Sequence, residues 1–315
     1  MKAVFTCGGT GGHINPALAV ARVLLERRPD SEILFVGAED GMEATLVPRE
    51  GFRLETLQIS SYMRSLKPSA IRHNVRAALS IRRALKKADR IIRDFQPDVI
   101  LGTGGYASYP MLHEGARLGI PTAVHESNAV PGLATKMVAD KVDRILVSFA
   151  DSRSAYRDPS RVIAVGMPVR EEFVFTRRAD ARRALGLDEK TPMIVSAWGS
   201  LGAREMNKKI AQFMKLECEQ DCWRHIHATG SFGWRWMPDY VREQGVDLAA
   251  QPRIEMREYI YDMPQVLAAA DLIICRAGAA TIAEVCASGT PCIMVPSPNV
   301  TGNHQEKNAR VLERS

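Results

Sequence analysis

His13 stands directly behind the run C-G-G-T-G-G (Cys7–Gly12), which itself follows an apolar, strand-like stretch. An imidazole at the head of a helix can take a proton near neutral pH, as a general base must. The N–H groups of Thr10, Gly11 and Gly12 can turn towards a phosphate, because glycine lets the backbone come close to a ligand. A plain helix-capping histidine is the competing reading. Two further glycine loops recur after apolar runs: G-T-G-G-Y-A-S (Gly102–Ser108) and W-G-S-L-G-A (Trp198–Ala203). One such loop says little. Three, spread over both halves of the chain, point to two phosphate-binding domains.

Two other clusters carry chemistry. His125-Glu126-Ser127-Asn128 ends a strand-like run, the place where parallel sheets bind ligands. Glu126 and Asn128 are candidate site residues there, with turn formation ahead of Pro131-Gly132 as the alternative. Arg276-Ala-Gly-Ala-Ala-Thr-Ile-Ala-Glu284 joins a buried strand to a helix through small residues, which suits a phosphate at the helix N-terminus. Glu284, about one and a half turns in, can accept hydrogen bonds from a sugar diol. Cys218, Cys222, His225 and His227 fit no common zinc spacing. No Asp-x-Asp pair offers to hold a metal on a nucleotide diphosphate, so loops and helix ends must steady a diphosphate leaving group.

These groups need a scaffold. In the first half, strand-like runs at 3–7, 32–37, 98–102, 121–125 and 144–148 alternate with helical patterns at 16–28 and 69–95. A second series follows the Gly- and Pro-broken stretch Val165–Arg170, with strands at 193–197, 225–229, 254–259, 271–275 and 291–295 and helices at 202–215 and 279–287. Alternation of this kind means parallel sheets covered by helices. The expected division is therefore 1–165 and 166–315. A last helix begins near Gln305 and reaches Ser315 without a stop signal, which suggests a missing terminal segment.

At 315 residues, with 46% hydrophobic and 25% charged residues, the composition is that of a soluble globular protein. No signal peptide or membrane-length apolar run is evident, and the six cysteines show no disulfide spacing, so a cytosolic, reduced protein is expected. The net charge of +6 falls mainly in the first half. Between Arg64 and Arg93 ten basic residues face one acid, Asp89, interleaved with apolar residues near helical spacing. Such a helix can lie on an anionic membrane or bind nucleic acid, or it can be a solvated helix with one core face.

Taken in order, G-G-T-G-G-H-x-x-P, G-T-G-G-Y-x-S, H-E-x-N-x-x-P-G, G-x-P-V-R, R-x-G-A-x-T-x-x-E and N-H-Q-x-x-N-A resemble the MurG family, the N-acetylglucosaminyltransferases of peptidoglycan synthesis. The resemblance runs from residue 1 to 315. It implies an α/β GT-B architecture of two Rossmann-like domains with parallel sheets facing a cleft, the first for acceptor and membrane, the second for the donor. It also implies inverting transfer of GlcNAc from UDP-GlcNAc to the MurNAc 4-hydroxyl of lipid I (undecaprenyl-pyrophosphoryl-MurNAc-pentapeptide), giving lipid II.

Carried over residue by residue, the donor contacts fall on Thr10, Gly11, Gly12, Asn128, Arg170, Ser200, Ile260, Ala279, Ala280, Thr281, Ile282, Ala283, Glu284, His304 and Gln305. Arg170 and Ser200 would take the diphosphate, Ile260 the uracil, Glu284 the ribose, and His304 and Gln305 the GlcNAc hydroxyls. Gly104, Gly105 and Tyr106 would meet the acceptor. His13 is the first choice of base and Glu126 the second. No cofactor is implied beyond a non-essential divalent cation, and no nucleic acid. The family is peripheral on the cytoplasmic membrane face, which favours anionic lipid for the Arg64–Arg93 helix.

Three features depart from the family pattern: Trp198 in place of glycine, Leu201 in place of glutamine, and Ala277 in place of serine. Trp198 would either crowd the diphosphate or pack beneath the loop. The rival readings are another GT-B transferase with a different lipid or aglycone acceptor, an NAD-type oxidoreductase, and a membrane-bound scaffold that binds UDP-GlcNAc without turnover.

Overall fold

Parallel pairing dominates the computed structural model, which describes residues 1–59, 68–220 and 222–314; the side chains of residues 68–79 and 301 are outside that description. The chain divides into two compact units, Met1–Pro168 and Val169–Ser315.

In the first unit the strands are β1 (Lys2–Thr6), β2 (Glu32–Ala38), β3 (Arg53–Leu57), β4 (Val99–Gly102), β5 (Thr122–Glu126), β6 (Arg144–Val147) and β7 (Val162–Ala164). They form one parallel sheet in the order β3-β2-β1-β4-β5-β6-β7. The chain builds outward from β1 in one direction, then returns to add β4 on its other side. The reversal leaves a crevice beyond the C-terminal ends of β1 and β4. Both faces of the sheet are covered. Val4, Leu34, Val36 and Ile100 pack with Ala84, Ala88, Ile91 and Ile92 of the helix Pro68–Phe95, whereas Phe5, Phe35 and Val47 pack with Ile14, Ala17, Leu18 and Ala21 of the helix Gly11–Arg27. Such alternation is what buried parallel strands require.

The second unit repeats the plan with β8 (Met193–Ala197), β9 (Arg224–Ala228), β10 (Ile254–Arg257), β11 (Leu272–Cys275) and β12 (Cys292–Met294), ordered β10-β9-β8-β11-β12. Its reversal falls between β8 and β11.

One boundary corrects the sequence reading. The first helix starts at Gly11, not at Pro16. Thr10 is extended (φ −143°) and acts as the N-cap, so Gly11, Gly12 and His13 are the first turn of the helix itself. Pro16 lies inside, where its missing N–H costs one bond to the preceding turn.

Of the basic helix, Arg82, Arg83, Lys86, Lys87, Arg90 and Arg93 are exposed, while Ala84, Ala88, Ile91 and Ile92 are buried. Arg64 and Lys67 lie outside the described residues, as do the side chains of Arg72 and Arg76. Among the described residues no helix is long and apolar enough to cross a membrane.

Candidate functional site

Both loops of the first half lie at the first reversal. Cys7–Gly12 leaves β1 and Gly102–Ser108 leaves β4, and their backbones touch: a Cβ on Gly105 would sit 2.1 Å from the Gly8 carbonyl oxygen, and one on Gly8 would sit 2.6 Å from the Ala107 Cβ. Gly9, Gly104 and Gly105 have φ of +92°, +102° and +80°, a region that penalises any residue with a Cβ. Thr103 Oγ1 donates to the His13 carbonyl at 2.6 Å, pinning the second loop to the first turn of the helix.

His13 is half-buried in this crevice. Its Nδ1 lies 3.1 Å from the Gly8 carbonyl oxygen. A carbonyl can only accept, so Nδ1 carries the proton and Nε2 is the basic nitrogen of the neutral ring. Gly104 makes room for the imidazole, since a Cβ there would fall 2.9 Å from its Cδ2. Tyr106, half-buried beside Gly9, is pushed up by burial and then by the charges of Glu43 and Asp40.

Glu126 is the second choice of base. It is buried at the end of β5, and its two oxygens accept from Asn128 N (3.0 Å), Asn128 Nδ2 (3.2 Å), Gly132 N (2.9 Å) and Thr135 Oγ1 (2.6 Å). Its geometry is that of a clamp on the 127–135 turn, holding Asn128 by both backbone and side chain. Neighbouring His125 is buried, lies 3.0 Å from the Gly166 carbonyl through Nε2, and is lowered chiefly by burial.

In the second unit, the loop after β8 and the Arg276–Gly278 turn after β11 flank the second reversal. Gly199 and Gly202 both have φ of +81°, and Gly202 packs so tightly on Gly230 that a Cβ would meet the Thr229 carbonyl oxygen at 2.1 Å. Trp198 packs beneath the loop: it is 4% exposed, among Ile210, Ala211, Met214, Met237 and Val241. Arg276 lies across its ring, 5.8 Å from the centroid, and donates to the Val295 and Pro296 carbonyls. Leu201 is exposed.

The helix Ala279–Ser288 starts after Gly278 with no side-chain cap and no acid in its first turn. The N–H groups of Ala279, Ala280 and Thr281 therefore head it with no acid of its own first turn beside them, an arrangement that favours a phosphate. Ala283 and Glu284 are half-buried on this helix, whereas the Ile282 side chain is buried. Ile260 is also buried, so only its backbone could meet a ligand. Gln305 Oε1 accepts from Ser297 N at 2.8 Å, and His304 is half-buried at the start of the last helix. Ser200 is half-buried, as is Arg170, whose guanidinium lies 5.3 Å from the Phe173 ring and whose Nε is buried without a protein partner among the described residues.

The histidines of the rejected zinc spacing have another occupation. Glu217 Oε2 lies 2.8 Å from His225 Nδ1, and Ser196 Oγ lies 2.7 Å from both His225 Nε2 and His227 Nδ1. One donor order satisfies all three contacts: His225 Nδ1–H to Glu217, Ser196 O–H to His225 Nε2, and His227 Nδ1–H to Ser196 Oγ. All four residues are buried, and Cys222 is exposed.

Sequence reasoning missed Glu43, which is fully buried against the first glycine loop. Its sole sequence signal was the glycine-flanked stretch Gly37-Ala-Glu-Asp-Gly41 just before it.

Comparison with known proteins agrees with this two-domain architecture. The family model of the glycosyltransferase family 28 N-terminal domain matches residues 3–147, and that of the family 28 C-terminal domain matches residues 193–315. A UDP-N-acetylglucosamine--N-acetylmuramyl-(pentapeptide) pyrophosphoryl-undecaprenol N-acetylglucosamine transferase of Acetivibrio thermocellus is 41% identical over 314 residues, covering 100% of this chain and 83% of the relative. Its counterpart from Caldanaerobacter subterraneus is 39% identical over 314 residues, with 100% and 84% covered. Among solved structures, Acinetobacter baumannii MurG superimposes with a TM-score of 0.66 at 26% identity, covering 99% of this chain and 83% of that one. A UDP-GlcNAc 2-epimerase from Neisseria meningitidis, at 13% identity and a TM-score of 0.64, shares the fold, with 100% of this chain and 91% of that one covered. The chain belongs to glycosyltransferase family 28 and, within it, to the MurG family.

Proposed function

We propose that this protein transfers GlcNAc from UDP-GlcNAc to the 4-hydroxyl of the MurNAc unit of a pyrophosphoryl-undecaprenol-linked pentapeptide, with inversion. One observation carries the reading furthest: a basic imidazole nitrogen anchored at the first glycine crevice, in a chain 41% identical to a transferase named for this donor and acceptor. In a single displacement the acceptor oxygen attacks the anomeric carbon as the bond to UDP breaks. His13 Nε2 takes the hydroxyl proton, and the departing diphosphate needs compensating charge. The free N–H groups heading the Ala279–Ser288 helix, Ser200 and the Arg170 guanidinium are of the right kind to supply it. Glu284 would hold the ribose, His304 and Gln305 the sugar, and the Ile260 backbone the uracil. In the first unit, Asn128, clamped by Glu126, is assigned to the donor by the family resemblance, and Gly104, Gly105 and Tyr106 to the acceptor. No metal ion is assigned a part.

The acceptor is a membrane lipid, so the enzyme would work peripherally at the cytoplasmic face, in cell-wall biogenesis and hence in cell shape and division. The exposed cations of the Pro68–Phe95 helix supply the attraction to anionic headgroups. Replacing Arg82, Arg83, Lys86 and Lys87 by Gln should weaken binding to phosphatidylglycerol vesicles by up to roughly 10³-fold at low salt, at about 1 kcal/mol per charge. UDP-GlcNAc binding should be unchanged; unaltered vesicle binding would remove the membrane assignment.

The decisive test is turnover of UDP-GlcNAc with purified lipid I, scored by formation of the β-linked disaccharide lipid. Donor binding without turnover would favour the scaffold reading, and transfer confined to another acceptor would favour a different GT-B transferase.

A further inference from the structure

Glu43 is a buried carboxylate among glycines. Its Oε1 accepts from Ala38 N at 2.6 Å and its Oε2 from Gly9 N at 3.1 Å. Three glycines leave it room: a Cβ on Gly37 would lie 2.4 Å from its Cγ, one on Gly41 2.2 Å from Oε2, and one on Gly8 2.9 Å from Oε1. Among the described residues its hydrogen-bond partners are two backbone amides, with no cation. Burying a charge on such terms is costly, and an apolar side chain would fill the space more cheaply. What the carboxylate adds is direction: it fixes the Gly9 N–H, and with it the Gly8–Gly9 peptide, whose carbonyl holds His13 Nδ1 at 3.1 Å.

We propose that Glu43 is a positioning residue for His13: it sets the Gly8 carbonyl so that Nδ1 keeps the proton and Nε2 faces the reaction as the base. Gly105 packs against the same carbonyl, where a Cβ would sit 2.1 Å from the Gly8 oxygen, so the Gly8–Gly9 peptide meets the β4 loop at its oxygen and Glu43 at its N–H. The inference rests on the assignment of His13 as base given above. The carboxylate acts through the loop and touches neither donor nor acceptor.

The test uses the full chain with Glu43→Gln and Glu43→Asp, after wild-type turnover with UDP-GlcNAc and lipid I has been measured. Glutamine cannot accept through its –NH₂ end, so one of the two amides loses its partner. Glu43→Gln should keep the UDP-GlcNAc KM within about twofold and lose about 100-fold in kcat, the scale of a misplaced catalytic group. Glu43→Asp should fall between it and wild type. In a His13→Ala background, adding Glu43→Gln should change the residual rate less than about twofold, because coupled residues are not additive. Nitrogen NMR of His13 should show the Nδ1–H tautomer in wild type and a mixture in Glu43→Gln.

Additive losses, an undisturbed tautomer, or unfolding of both variants would overturn the proposal and leave Glu43 a purely structural strut. Absence of wild-type turnover would instead sink the transferase reading, and the tautomer measurement would still decide the positioning claim.

Discussion

The two reversal points are built alike and equipped differently. Each pairs a glycine loop after one strand with a second loop or turn after its neighbour, and each presents the start of a helix. The first also holds titratable groups: His13 with a fixed tautomer, the buried acid Glu43, and Tyr106 raised by its surroundings. The second holds backbone amides, small residues, the Arg276 guanidinium and Glu284, with His225 and His227 turned into the core. Under the proposed function the same scaffold would support proton transfer at one point and anion binding at the other, with the side chains added to a shared plan marking which is which.

That contrast can be broken by experiment. His13→Ala should lower kcat by about 10³-fold, within the usual range for a general base, and leave the UDP-GlcNAc KM nearly untouched. A large KM effect in steady-state kinetics would make the first point a binding site as well.

Next in size, Gly105→Ala and Gly202→Ala should each cost about 2–3 kcal/mol, because both place a Cβ 2.1 Å from a carbonyl oxygen at positive φ. Denaturant titration reads the cost. Gly105→Ala should also abolish turnover at temperatures where it remains folded, since the oxygen it meets is the one that anchors His13.

Glu284→Ala should weaken UDP-GlcNAc binding by roughly 10- to 100-fold in calorimetry, the worth of charged hydrogen bonds to a ribose, with kcat at saturating donor nearly intact. Equal loss in both parameters would erase the division between a chemical and a binding point.

The smallest effect concerns acid. His227 is held well below its ordinary value, first by burial and then by His225. The unfolded chain takes up a proton near pH 6.5 that the folded chain refuses, so this contribution to stability is complete above pH 6.5 and is lost as pH falls below it. His227→Gln should flatten the decline in thermal midpoint between pH 7 and pH 5; an unchanged slope would shift the effect to other groups.

Much of this was legible in the sequence, for local reasons. Apolar runs placed Met193–Ala197 with its observed bounds and most other strands to within a residue or two, because a strand buried on both faces reads as a mainly apolar run even where, as at Ser196, one buried polar residue interrupts it. β3 was overlooked because R-L-E-T-L lies at the sheet edge with Arg53 exposed and Glu55 half-buried, and β7 because it is a short edge strand with two of its three residues exposed. The glycine loops announced the reversal points, since glycine's freedom is a property of the residue itself. Glu43 and Glu126 could not be ranked, because what distinguishes a strut or a clamp from a base is which donors the folded chain brings to it. Proline misled at Pro16: it resembles a helix start, whereas the start lies within the glycine run.

Trp198 gives the second reversal point an optical property. Its indole is buried beneath the loop, and a guanidinium lies across its face. An anion that draws Arg276 away from the ring changes the electric field on that chromophore. Intrinsic fluorescence, with Trp223, Trp234 and Trp236 subtracted by substitution, would then follow donor occupancy in real time without a label.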